Sequence, residues 1–288
     1  MKVIDALKRD KQTLSFEFFP PKTEEQEKKL FEVIGKLKEY NPDFVSVTCG
    51  ALGTTRDKTT FWTKEIKDKF HITPVAHLTC VAEPRDHIKV HLDQLDKIGV
   101  NNVLALRGDP PQGHSRFVPA LKGCRYAKEL VALIKKEKPD FCVGVAGYPE
   151  GHREAENIEK DTEYLKQKVE AGAEYIITQL FFEAELFLKF EERCRKAGIT
   201  VPILPGIMII NSFKQITKMT ELCGASIPDE IMRQINRHQG DQSAIEKIGI
   251  EEASKLCARL KQEGIPGLHF FVLNQAGPIA VVLQQLSL

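Results

Sequence analysis

The sequence predicts an α/β protein, a (β/α)8 TIM barrel forming a single domain over residues 1–288, and three observations carry that expectation. Short runs rich in β-branched and aromatic residues alternate with amphipathic runs about eight times, the rhythm of parallel strands joined by crossover helices. No linker or shift in composition divides the 288 residues, and one barrel commonly takes ~250. The residues that follow the strand-like runs are polar, as they are where a barrel places its working loops. A doubly wound open sheet is the competing arrangement, but the early glycines lack the GxGxxG spacing of a dinucleotide-binding turn.

The first unit centres on LSFEFFPPKT, residues 14–23. Leu14, Phe16, Phe18 and Phe19 surround Glu17, and Pro20 and Pro21 end the strand. A carboxyl among aromatic side chains is poorly solvated, so its pKa is expected to rise toward the working range of a general acid. The other reading is a barrel-lining glutamate satisfied by hydrogen bonds. Thr23 and Gln26 then make a capping box for a helix with Leu30, Phe31, Ile34 and Leu37 on one side. Residues 43–48 form the second strand, followed by the polar loop 49–59 and a helix ending near Phe70.

Four similar units follow. Strand 73–79 precedes helix 83–98, and strand 101–106 precedes a long loop, 107–116, and helix 125–136. Strand 141–146 leads to helix 158–171, and strand 175–179 to helix 183–197. Val201–Ile207 reads as one strand, with a helix over 213–222, a long excursion over 226–243 and a helix over 248–262. Strand 268–273 and helix 278–286 close the series.

Composition narrows the partners. Lys plus Arg number 41 against 40 Asp plus Glu, interspersed throughout, so there is no basic footprint for nucleic acid or an anionic membrane. The N-terminal residues lack the apolar core of a signal peptide, and no apolar run approaches ~18 residues. A cytoplasmic protein is expected. The seven cysteines are scattered without a CxxC pair, a pattern of reduced thiols rather than disulfides, zinc or an iron–sulfur cluster.

The strand ends carry the candidate chemistry: Glu17, Thr48, His77, Thr79, Arg107, Gly108, Asp109, Tyr148, His152, Gln179, Asn211, Gln215 and Asn274. Asp109, in LRGDPP, is either a turn residue before proline or a working carboxylate on this polar ring. His77 and His152 lack a third ligand at useful local spacing for a metal, which leaves histidines that donate to a bound cofactor. Gly108 and Gly147 allow a flat or phosphorylated ligand close to the backbone. Asp161, Tyr164, Gln167 and Lys168 share one helical face, either a solvated surface or the wall of a site.

The strings SFEFFPPKT, FVSVTCGA, AHLTC, ALRGDPP, VAGYPEGHREA, AGAEYIITQLFFEAE, PILPGIM and PGLHFFVLN stand in this order from about residue 13 to about residue 275. Together they resemble the methylenetetrahydrofolate reductase family. The resemblance implies an FAD-bearing barrel that reduces 5,10-methylenetetrahydrofolate to 5-methyltetrahydrofolate, with NADH or NADPH as the electron donor in a ping-pong cycle. It implies that Glu17 protonates the folate and opens its five-membered ring to a 5-iminium cation. Asp109 matches an aspartate beside the flavin's pyrimidine edge and within reach of the pterin, where negative charge stabilises that cation. Gln179 matches a residue shared by folate and nicotinamide, and Gln215 a folate contact. FAD positions map to Thr48, Cys49, Ala51, His77, Arg107, Gly108, Asp109, Ala127, Tyr148, His152, Ala155, Asp161, Tyr164, Gln167 and Lys168.

The chain also departs from the family pattern. Tyr164 and Gln167 stand where bacterial members often have Asn and Arg, Cys49 where they often have Tyr, and Gln275 in the place of an Arg that helps hold folate. A homo-oligomer is expected from the resemblance. Two alternatives remain at this level: a flavin-free barrel lyase or isomerase, and a folate- and flavin-binding subunit of a larger redox complex fed by ferredoxin or a partner flavoprotein.

Overall fold

A computed structural model describes residues 1–49, 56–108, 117 and 119–288. The chain begins with a short helix, α1 (Val3–Leu7), and then enters the barrel through β1 (Thr13–Phe18) and α2 (Glu24–Lys38). Next come β2 (Phe44–Val47), α3 (Arg56–Glu65, continued by one π-helical turn, Ile66–Phe70), β3 (Thr73–Thr79) and α4 (Arg85–Lys97). β4 (Asn102–Leu106), α5 (Ala127–Glu137), β5 (Cys142–Gly147) and α6 (Ile158–Glu170) continue the alternation, as do β6 (Tyr175–Thr178) and α7 (Ala184–Lys196). The last part contains β7 (Ile203–Leu204), β8 (Gly206–Ile207), α8 (Phe213–Cys223), α9 (Asp229–Arg237), α10 (Gln242–Gln262), β9 (Gly267–Phe271) and α11 (Ala276–Gln285).

Every strand pair among the described residues is parallel, in the order β7-β6-β5-β4-β3-β2-β1-β9-β8. The expected single strand Val201–Ile207 is divided at Pro205, which has no N–H to give to a ladder. Its first half pairs with β6 and its second with β9. The carbonyl of Pro205 still accepts from His269 N at 3.1 Å, so the two halves act as one stave. Nine strand segments therefore make the eight-stave barrel that the sequence predicts.

Three helices differ from the sequence reading. α1 is an addition: Asn102 accepts from Val3 N at 2.9 Å and donates to the Met1 carbonyl at 3.1 Å, which ties the helix to the base of β4. The excursion 226–243 contains α9, whose Ile231 and Ile235 pack beside Met208, Ile210 and Ile245 in a separate small core. α10 also starts earlier than expected, at Gln242, where Asp241 accepts from Ala244 N.

The pleat separates two layers. Phe16 and Phe18 face outward and pack with Leu30, Ile34 and Leu37 of α2, since successive side chains on a strand point to opposite faces. Inside the barrel, Val3, Ile4 and Leu7 of α1 join Phe44, Val75, Leu104 and Tyr175 in an apolar plug at the N-terminal end. The Tyr175 ring lies across Gly144, where an added Cβ would sit 2.3 Å from it. With that end filled, the polar interior residues collect toward the other end, at the C-terminal ends of the strands.

Candidate functional site

Glu17 is buried and points into the barrel, the face opposite Phe16 and Phe18. Its register neighbours are Ser46 on β2 and Phe271 on β9. Oε2 lies 3.2 Å from His77 Nε2, 3.7 Å from His269 Nε2 and 3.4 Å from the Ser46 hydroxyl that donates to it. Burial alone would raise the pKa of this carboxyl, but His77 and His269 outweigh it and hold it down to about 2. This corrects the sequence reading, which placed Glu17 among aromatic rings and expected a raised value. The aromatic neighbours in sequence are neighbours across the sheet, and two imidazoles are its neighbours in space.

His269 is fully buried, and burial depresses its pKa although Glu17 acts the other way. Its Nδ1 is 2.9 Å from Ser15 Oγ, which also donates to the Leu268 carbonyl at 3.1 Å. Sequence reasoning missed Ser15, Ser46 and His269. Their signal was a set of polar residues at alternate strand positions, Ser15 with Glu17 and Ser46 with Thr48, which marks the inward face.

A cleft of about 320 Å³ lies at the ends of β4 and β5, against α5 and α6. Nine of the expected FAD positions line it together: Arg107, Ala127, Tyr148, His152, Ala155, Asp161, Tyr164, Gln167 and Lys168. The helical face of Asp161, Tyr164, Gln167 and Lys168 is therefore a wall rather than a solvated surface. Tyr126, Lys128 and Glu154 line it too and were not singled out from sequence.

Arg107 is paired through both terminal nitrogens with Glu154, at 2.6 Å each. His152 meets Tyr148 edge to face at 4.7 Å, and its Nδ1 accepts from Glu154 N at 3.1 Å. Burial, and then Arg107, lower the pKa of His152. The ammonium of Lys168 turns inward onto the Ala146 carbonyl at 2.6 Å, and burial pulls its pKa down to about 8 against the attraction of Asp161. Burial raises the pKa of Asp161, opposed by Lys168.

Thr48 is buried at the end of β2, with Cys49 beyond it, and its carbonyl accepts from Thr59 Oγ1 at 2.8 Å. Gly108 takes φ +86°, and an added Cβ would sit 2.7 Å from Val81 and 3.2 Å from Thr79, so only glycine fits. The neighbouring Thr79 hydroxyl is buried without a hydrogen-bond partner among the described residues. An unsatisfied hydroxyl and a cation-bearing cleft fit an anionic ligand such as FAD. Two expected positions, Ala51 and Asp109, lie outside the described residues.

Of the folate candidates, Gln215 and Gln275 are joined through Asn211, whereas Gln179 follows β6 near Tyr148. Gln179 accepts from Leu180 N at 2.9 Å through its own side chain. Gln215, in the first turn of α8, accepts from Asn211 N at 2.7 Å and donates to the Ile209 carbonyl at 3.3 Å. Asn211 Nδ2 donates to Gln275 Oε1 at 3.4 Å, while Asn211 Oδ1 is buried without a partner among the described residues. The loop after β5 is tied to the end of α8: Arg153 donates to the carbonyls of Glu221 and Leu222, and Glu150 accepts from Ser226 N. The two halves of the mouth thus share a strap. No helix among the described residues is long and apolar enough to cross a membrane.

The family model described as "Methylenetetrahydrofolate reductase" matches residues 2–287. The chain is 39% identical over 263 residues to the 5,10-methylenetetrahydrofolate reductase of Escherichia coli (strain K12), covering 91% of this chain and 86% of that protein. It is 38% identical over 297 residues to methylenetetrahydrofolate reductase (NADH) 1 of Zea mays, covering 100% of this chain and 50% of that one. The chain thus spans about half the length of the plant relatives it matches. Among solved structures, it is similar to an uncharacterized protein from Clostridium thermocellum that binds two copies of 5-methyl-5,6,7,8-tetrahydrofolic acid. That likeness has a TM-score of 0.68 and 17% identity over 98% of this chain and 95% of the other, and concerns the fold alone.

Proposed function

The chain belongs to the methylenetetrahydrofolate reductase family, and we propose that it reduces 5,10-methylenetetrahydrofolate to 5-methyltetrahydrofolate with bound FAD and NADH or NADPH as donor. The observation that supports the reading is Glu17, buried inside the barrel 3.2 Å and 3.7 Å from two imidazoles, together with a cleft lined by nine of the expected FAD positions. When bound, FAD supplies a two-electron relay that takes hydride from a nicotinamide and gives it up to folate in a second step.

The protein's own part is to move a proton and stabilise charge. Opening the five-membered ring of the substrate requires a proton on the departing nitrogen, and leaves a 5-iminium cation. Two imidazoles hold Glu17 as a carboxylate, so it takes up a proton when folate binds before delivering one, with His77 Nε2 standing 3.2 Å from its Oε2. After delivery, the Glu17 carboxylate stays beside the new cation, where a negative charge in a water-poor site is most effective. Asp109, next in the chain to Gly108, adds a second negative charge near the reacting rings. Gln179 serves folate and nicotinamide in turn, while Gln215 and Gln275 hold folate. The barrel acts as a single catalytic domain.

Anaerobic mixing of the purified protein separately with NADH, NADPH and reduced ferredoxin tests this. Bleaching of the flavin by a nicotinamide, followed by reoxidation when methylenetetrahydrofolate is added, is the expected result. Protein that is colourless, and stays colourless after FAD is added, would overturn it. Bleaching by reduced ferredoxin alone would assign the electrons to a partner protein.

A further inference from the structure

We propose that Lys128 is a phosphate-binding cation of the flavin cleft, aimed at the FAD diphosphate by the side-chain amide of Gln167. The inference rests on the flavin reading above and adds a residue that the family resemblance does not supply.

Three described cations line the cleft: Arg107, Lys128 and Lys168. Two of them are already engaged. Arg107 is held by both oxygens of Glu154, and the inward-turned ammonium of Lys168 donates to the Ala146 carbonyl with Asp161 as its opposing charge. Lys128 differs, because its Nζ donates at 2.7 Å to Gln167 Oε1, a neutral acceptor. Among the described residues no carboxylate stands in ion-pair contact with it. The acid that feels its charge, Glu163, is bonded to Lys160 at 2.8 Å. An ammonium has three donors, so the single bond to Gln167 fixes the group while leaving two directions for acceptor oxygens.

Position favours phosphate as the occupant. Lys128 is the second residue of α5, and the first turn of a helix carries positive potential that adds to that of the ammonium. Its side chain bridges from α5 to Gln167 on α6, and both residues line the cleft. Tyr126 and Tyr164 line the same cleft and are 46% and 45% exposed, ring surfaces available to a flat base beyond the phosphates. A dinucleotide places two phosphates between two ring systems, and this cleft is lined by cations and aromatic rings together.

The arrangement also accounts for a departure in the sequence. Where bacterial relatives often carry Arg at position 167, this chain has Gln167 and would lose a charge from the wall. Lys128 restores that charge from the neighbouring helix, and Gln167 becomes its positioning residue.

The test measures flavin retention rather than turnover. Holoenzyme is serially diluted, and free FAD is read by the rise in flavin fluorescence for wild type, Lys128→Met, Lys128→Arg and Gln167→Met, with thermal unfolding midpoints as the folding control. Loss of one charge-assisted hydrogen bond should weaken FAD retention by about 10- to 100-fold in Lys128→Met. Lys128→Arg should recover most of the affinity, and Gln167→Met should lose less than Lys128→Met, with unfolding midpoints close to wild type throughout. Wild-type FAD retention in Lys128→Met would overturn this inference alone. A wild-type chain that takes up no FAD would bring down the flavin reading and this inference with it.

Discussion

Ser15 Oγ lies 2.9 Å from His269 Nδ1, and through this contact a serine on β1 fixes the ring that faces Glu17 from β9. The imidazole has two distinct nitrogens, and the partner of one decides what the other presents. Ser15→Ala removes a buried partner, a change that costs about 1–3 kcal/mol where the remaining group is left unsatisfied. The folate half-reaction should slow by roughly tenfold or more, with its pH profile displaced, while flavin reduction by a nicotinamide is unchanged. Equal slowing of both half-reactions would assign Ser15 to stability alone.

Acid stability follows from the same cluster. Glu17 has a folded pKa of about 2, below its ordinary 4.5, so its stabilising contribution is complete above pH 4.5 and is lost as pH falls toward 2. His269 and His152 are also depressed, from 6.5. Below about pH 6.5 the unfolded chain takes up protons on them that the folded chain refuses, and stability falls there too. Urea midpoints should therefore decline in two stages as pH is lowered from 7 to 3. In Glu17→Gln the lower stage should be shallower while a decline below 6.5 remains. A midpoint that does not change from pH 7 to pH 3 would rule out both shifts.

The barrel was legible because its rhythm is made of local signals. Thr23 accepts from Gln26 N as the capping box foretells, while Gln26 Oε1 accepts from Lys22 N, one residue before the cap. The environment of Glu17 was hidden because β1 is buried on both faces, and such strands read as continuous apolar runs with no visible inner side. His269 stands 252 positions from Glu17 in the chain but beside it in space, through the β1–β9 pairing that closes the barrel. α1 was missed because five residues are too few for a helical period to show. The break at Pro205 is visible in the sequence, yet it matters only because the two halves of the stave pair with different neighbours.

Gly249 shows how closely α10 sits on the mouth. A Cβ at this position would lie 2.0 Å from the Ile210 carbonyl oxygen, a backbone atom that cannot swing away. Gly249→Ala must push α10 outward, and overpacking of this kind typically costs about 1–3 kcal/mol. Because Ile210 precedes Asn211 and the Gln215 contact, the variant should also bind folate more weakly. An unaltered unfolding midpoint would mean that the helix accommodates a methyl group.

Asp109→Asn keeps shape and removes a charge. Loss of one such electrostatic contact typically costs ~3 kcal/mol of transition-state stabilisation, about a hundredfold in rate. Folate turnover should fall by that factor with FAD still bound. A rate equal to wild type would leave Asp109 as the turn residue before Pro110.

Glu17→Gln separates the two halves of the proposed reaction, because it keeps the size of the side chain and removes its charge and its capacity to take up a proton. Reduction of the flavin by a nicotinamide needs no proton on folate and should survive largely intact. The folate half-reaction loses both services of the carboxylate: relay of a proton to folate and the negative charge left beside the iminium cation. A positioned general acid alone typically contributes ~100- to 10,000-fold, so reoxidation of the reduced flavin by methylenetetrahydrofolate should nearly stop. The substitution would also leave His77 and His269 facing a neutral amide, and the pH dependence of whatever rate remains should change with it. Anaerobic stopped-flow absorbance follows each half independently. A variant that lost flavin reduction but kept folate-driven reoxidation, or that lost neither, would remove Glu17 from the acid role and reduce the two imidazoles to partners of a structural carboxylate.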